Sequence, residues 1–200
     1  MGRFTMNQPQ SFSNLAYVST GQPRSVDRNE WYTPMKYIEA ARKVLGVIDF
    51  DPYSDHIANQ VVKASAIRTK PGFDLFPPGD HALWPECQTV WMNPPYGKGE
   101  IEQAVSELIF EYNRQQFQAI VLVNNATETR WFQTLLQDCA ALCLTDHRIA
   151  FSSVDSKAVS SNTRGQAFMY FGNLPEPFIR EFSRFGFTIA TRHHHDTLRN

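Results

Sequence analysis

An α/β fold, with a mostly parallel sheet flanked by helices, is the architecture this sequence predicts. Three observations carry that expectation. The short runs "TVWM" (89–92), "AIVLV" (119–123) and "ALCL" (141–144) have the continuous hydrophobicity of strands buried on both faces. Between them lie segments of helical period, such as 100–112, where Ile101, Ala104, Val105, Leu108 and Tyr112 share one face. Strands alternate with helices along the chain, the pattern of crossover connections that keep neighbouring strands parallel.

The elements follow in order. Residues 1–29 are polar, rich in Ser, Gln and Asn, and read as a flexible or extended arm. The domain itself spans 30–191, and 192–200 is a tail. In "EWYTP" (30–34), Thr33 and Pro34 read as a helix cap and a first-turn proline. Met35, Ile38, Ala41 and Leu45 then recur at helical spacing until Gly46. "VIDF" (47–50) is a short strand, and a second helix is expected over about 55–64. Residues 68–88 carry four prolines and two glycines and predict a long loop. After "AIVLV", Thr127 is the expected cap of a helix holding Trp131 and Leu135 one turn apart. "HRIAF" (147–151) and "QAFMYF" (166–171) read as strands around a polar loop, 152–165. A helix over about 176–184 and a strand, "FTIA", close the domain.

Composition narrows the function classes. The 200 residues are 42% hydrophobic and 20% charged, so the chain is globular and can bury a core without staples. The net charge is −1, so no basic field covers the whole chain and a nucleic-acid site must be a local patch. No apolar stretch reaches signal-peptide or membrane-spanning length, so an intracellular, cytoplasmic protein is expected. Cys87, Cys139 and Cys143 form no Cys-x-x-Cys and read as buried thiols. The run His193-His194-His195 lacks separated partners at ligand spacing, so no metal site is expected.

Two strand ends carry chemistry. "VWMNPPYG" (90–97) stops an apolar strand with Asn93, Pro94, Pro95 and Tyr96. An exocyclic base amine is a poor nucleophile because its lone pair is delocalised into the ring. Two acceptors against its hydrogens favour a more pyramidal, electron-rich nitrogen. The Asn93 side-chain carbonyl is one such acceptor. The Pro94 backbone carbonyl is the other, stiffened by two prolines. Tyr96 offers a face for stacking. The plainer reading is a strand-ending turn, and the tetrapeptide alone leaves the two readings even. In "DFDPYSD" (49–55), Asp51 ends a strand and can accept from an amine or a ribose hydroxyl, although an Asp-Pro helix start is the plainer reading. Lys36, Lys98, Arg130, Arg148, Lys157 and Arg164 are candidate phosphate contacts.

Together these segments resemble the phage-type DNA N-6-adenine methyltransferase family. The resemblance covers most of 30–190, through "EWYTP", "IDFDPYS", "VWMNPPYG", "AIVLVNNATETRWFQ", "RIAF" and "GQAFMYFG" in that order. It implies a Rossmann-like fold that uses S-adenosyl-L-methionine, with DNA as partner and the host cytoplasm as location if phage-encoded. On that analogy Asn93, Pro94, Pro95 and Tyr96 are catalytic. Trp31, Thr33, Pro34, Asp51, Pro52 and Ser54 would line the cofactor, and Lys98, Arg130, Lys157 and Arg164 would contact DNA. Tyr53 departs from the pattern, standing where a small residue usually follows Asp-Pro. The implied reaction flips an adenine out of the duplex and methylates it by direct in-line displacement. Two alternatives stay open at this level: another planar amine as acceptor, such as cytosine N4 or an RNA base, or an inactive nucleic-acid-binding module.

Overall fold

A computed structural model describes residues 32–69, 83–97, 99–152 and 162–191. Trp31, Lys98, Lys157, the polyhistidine run, and most of the arm and long-loop expectations lie outside these residues.

Seven strands form one sheet: β1 (Phe50–Asp51), β2 (Ala66–Ile67), β3 (Thr89–Met92), β4 (Gln118–Asn124), β5 (Ala141–Thr145), β6 (Gln166–Phe171) and β7 (Gly186–Ala190). Their spatial order is β2-β1-β3-β4-β6-β5-β7. The helices are α1 (Met35–Leu45), α2 (Ala58–Val62), α3 (Glu100–Gln115), α4 (Arg130–Asp138) and α5 (Pro175–Phe182).

The sheet corrects the expectation of mostly parallel pairing. β2, β1, β3 and β4 pair parallel, but β4–β6, β6–β5 and β5–β7 pair antiparallel. The cause is one connection. No helix lies between β5 and β6 among the described residues, so the chain returns from the edge at which β5 ended and β6 runs back. Apolar runs report burial on both faces and carry no sign of strand direction.

Period-two alternation sorts the strands onto two cores. Val90, Met92, Val121, Val123, Met169 and Phe171 face α3 and α4, against Ile101, Leu108, Phe132 and Leu135. Trp91, Ile120, Leu122, Phe168 and Tyr170 face α1 and α5, against Tyr37, Ile38, Phe178 and Phe182. Fully buried side chains of this size each contribute about 1.5–3 kcal/mol from apolar area. This is why two-faced strands survive with few residues. β1 has only two, and Asp49 reinforces it by accepting from the backbone N–H groups of Gln88 and Thr89 at the start of β3.

Other expectations shift locally. α1 starts at Met35 after Pro34 and ends at Gly46, whose φ of 79° suits glycine. Thr33 is not its cap, and Met35 is 56% exposed rather than on the buried face. α4 is capped by Thr129, which accepts from the Phe132 N–H, not by Thr127. The segment "HRIAF" is not a strand; beyond it Ser152 forms a single bridge with Tyr32. β2 was not legible in the sequence. The three thiols are free and buried, and burial pushes Cys87 up to about 11 and Cys139 and Cys143 to about 12. Among the described residues no helix is long and apolar enough to cross a membrane, and no group of metal-ligating side chains gathers.

Candidate active site

From β1 the chain moves outward to β2, then returns to β3 on the other side of β1. Strand order therefore reverses between β1 and β3. In open α/β sheets ligands bind beyond the carboxyl ends of the strands at such a point. β1 ends there with Asp51, and β3 ends there with Asn93 immediately after it. The two strand ends singled out in the sequence are thus neighbours, in register through Phe50 and Val90.

The segment before α1 crosses this edge. Tyr32 bridges Ser152 beyond β5, and its hydroxyl donates to Asp55 Oδ2 beyond β1, at 3.1 Å. Between those anchors Thr33 faces Asn93, whose Nδ2 donates to the Thr33 hydroxyl at 3.3 Å. That bond occupies Nδ2, and Oδ1 accepts from no described residue. Asn93 is half-buried and Pro94 buried, while Pro95 and Pro34 are half-buried.

Asp51 is 2% exposed. Its Oδ1 accepts from the Tyr53 N–H at 3.2 Å, and the hydroxyl of buried Ser54 donates to the Asp55 carbonyl at 3.5 Å. Burial pushes its carboxyl up to about 7, against the Tyr53 N–H and the nearby Ser54 hydroxyl, which favour the charged form, and with repulsion from Asp55 adding to the rise. No cation among the described residues offsets the burial. A buried carboxyl at a ligand crevice with unmet demand for positive charge is a candidate cation or hydroxyl acceptor.

Pro52 is buried and accepts from Arg68 Nε at 3.1 Å. Tyr53, the departure from the family pattern, donates its hydroxyl to Glu107 on α3 at 2.9 Å. Arg68 Nη2 joins the same carboxylate at 2.5 Å and stacks its guanidinium over the Tyr53 ring. The bulky ring is therefore committed to α3.

Tyr96 combines an open face with a tethered tip. The residue is 42% exposed, yet its hydroxyl accepts from the Asn124 N–H at 2.6 Å and desolvation raises the phenol above its ordinary value. The ring meets Trp131 edge-on, with centroids 6.4 Å apart. Two predicted DNA contacts flank it. Exposed Arg164 is close enough for its charge to favour the Tyr96 phenolate, and Arg130 precedes Trp131 at the exposed start of α4. Arg130 and Trp131 also line a cleft of about 330 Å³ between α3 and α4 with Glu102, Ser106 and Thr134.

The structure thus gathers Thr33, Asp51, Pro52, Ser54, Asn93–Tyr96 and Arg164 at one sheet edge. Sequence reasoning overlooked Asn124 and Gln166. The rule that marked Asp51 and Asn93, a polar residue ending an apolar run, marks Asn124 too. Gln166 precedes its run and escapes that rule.

No curated protein matches the chain. A family model described as DNA N-6-adenine-methyltransferase (Dam) matches residues 21–196, and with nearly the whole chain covered, this protein belongs to that family.

Proposed function

We propose that the chain is a DNA adenine-N6 methyltransferase that uses S-adenosyl-L-methionine and holds a flipped adenine against Asn93, Pro94 and Tyr96. The observation that supports this reading is the pairing of β1 with β3, which brings the strand ends carrying buried Asp51 and the Thr33-bonded Asn93 amide to the same sheet edge.

The donor set suits the cofactor. S-adenosyl-L-methionine supplies an electrophilic methyl group on a sulfonium, and it bears a second cation in its ammonium. A desolvated carboxyl such as Asp51 complements either a cation or the ribose hydroxyls, and buried Ser54 and Pro52 shape the same strand end. Trp31, Thr33 and Pro34 complete the proposed cofactor contacts.

Asn93 Oδ1 and the Pro94 carbonyl take the two hydrogens of the adenine amine, which draws the nitrogen toward a pyramidal, nucleophilic form. In this arrangement Nδ2 is spent on the Thr33 hydroxyl and Oδ1 is left for the amine. An amide flipped the other way would offer a donor and repel the amine. The open Tyr96 face stacks on the base and offsets part of the few kcal/mol that flipping costs. Methylation leaves a surplus proton on the nitrogen, which passes to water. Arg130 and Arg164, with Lys98 and Lys157, neutralise phosphates around the flipped nucleotide.

Incubation with labelled S-adenosyl-L-methionine and mixed-sequence duplex DNA, read by nucleoside mass spectrometry, tests this. N6-methyladenine is expected. N4-methylcytosine alone, or label in RNA alone, overturns the adenine assignment.

A further inference from the structure

Gln166 is 1% exposed and sits where β6 begins, between the carboxyl ends of β4 and β5. A buried primary amide is costly unless its polar atoms are met, so the partners it recruits are informative. Its Oε1 accepts from the Ile149 N–H at 3.0 Å. Its Nε2 donates to the Arg164 carbonyl at 2.8 Å and to Asn124 Oδ1 at 3.3 Å. Asn162 ties the same elements from outside, donating to the Ile149 carbonyl and accepting from the Arg164 N–H.

Asn124 is the residue whose N–H holds the Tyr96 hydroxyl. Gln166 is therefore one hydrogen-bonded residue from the ring that would stack on the base, and bonded directly to the backbone of Arg164. The turn after β4 has little freedom to compensate. The Asn125 N–H donates to the Gly165 carbonyl at 3.0 Å, and the Asn125 amide fills the space a Cβ on Gly165 would need.

We propose that Gln166 is a positioning residue that fixes the Tyr96 ring relative to Arg164, so that base stacking and backbone contact engage at one geometry. A glutamine serving only to satisfy a buried turn would hold the fold without setting the ring. The kinetic consequence rests on the adenine-methyltransferase reading; the structural one does not. Displacements of about 1 Å at a remote support can cost on the order of 10²-fold in rate.

The test uses Gln166→Met, which keeps length and loses every side-chain hydrogen bond. Asn124→Ala removes only the acceptor on a half-buried residue, and Asn124→Asp restores one. Tyr96 is followed through its Cζ resonance in ¹³C-tyrosine-labelled full-length protein, alongside thermal melting, cofactor affinity and turnover on adenine DNA. The expected result is a displaced Tyr96 resonance in Gln166→Met and Asn124→Ala, with a fall in kcat or a rise in the KM for DNA of about tenfold or more. Cofactor affinity is expected to be unchanged, and Asn124→Asp to behave as the native chain. If Gln166→Met fails to fold, Asn124→Ala decides. An unmoved Tyr96 resonance in a folded variant overturns the proposal, as does a parallel loss of cofactor affinity. A native chain that methylates no adenine DNA defeats the functional reading alone, and the resonance still decides for Gln166.

Discussion

The carboxyl ends of β1 and β3 lie side by side yet are built in opposite ways. Asp51 is sealed, and its carboxyl is pushed up to about 7 by desolvation. Asn93 is half-open, its amide steadied by a single bond to Thr33 and its carbonyl taken by no described residue. A sealed carboxyl responds strongly to an arriving cation because little water screens it. A half-open amide admits a planar group and can exchange water for it. Adjacent strand ends thus differ in kind: one is a desolvated carboxyl, the other a half-open amide whose carbonyl no described residue takes.

The largest test of this contrast is Asn93→Ala. Transfer is expected to fall by about 10²–10³-fold or more, the scale for losing one preorganised electrostatic partner, while cofactor affinity by calorimetry stays near native. Loss of both together would assign that turn to folding and erase the distinction between the two ends.

Asp51→Asn probes the sealed end. The folded pKa lies above the unfolded value of 3.8, so the folded state resists ionisation. Stability from this group is therefore full below about pH 4 and is lost as pH rises to about 7. Asp51→Asn is expected to remove that penalty, worth at most on the order of 4 kcal/mol, so the variant gains over the native chain at pH 8 and not at pH 4. Denaturant unfolding at both pH values reads the difference. Cofactor affinity of the native chain should rise with pH through about 7, with proton release on binding, and the variant should lose both the affinity and its slope.

Tyr96→Ala is the next smaller test. Base stacking is worth about 1–3 kcal/mol, so the KM for DNA should rise about tenfold to a hundredfold with cofactor affinity unchanged. Tyr96→Phe keeps the face and loses only the tie to Asn124, and should fall between. Thr33→Val is the smallest. It removes the acceptor that steadies the Asn93 side chain, a bond of about 1 kcal/mol, and kcat should drop several-fold. An unchanged kcat would show that Asn93 needs no steadying and would make the open end simpler than drawn.

Legibility in the sequence followed the range of the physics. "TVWM" became β3 and "QAFMYF" became β6 to the residue, because burial on both faces writes itself as a local apolar run. "VIDF" was displaced to Phe50–Asp51, since two paired residues carry almost no local signal. Thr33 reads as a cap because cap chemistry is local. Its actual partner, Asn93, is sixty positions away. Thr127 and Thr129 compete for one cap within two residues, and only helix geometry separates them.

By itself the sequence determined the α/β class, the two-sided strands and the family, and it marked Asp51 and Asn93–Tyr96 as polar endings of apolar runs. The tertiary structure decided the rest. It set the direction of β6, since a return from the same edge is a property of connection and not of composition. It placed β1 beside β3, made the Tyr32–Pro34 segment a strap across the sheet edge, and buried Gln166 where three segments converge. Local patterns record how buried a residue must be. Which distant group it meets there is fixed only when the sheet assembles.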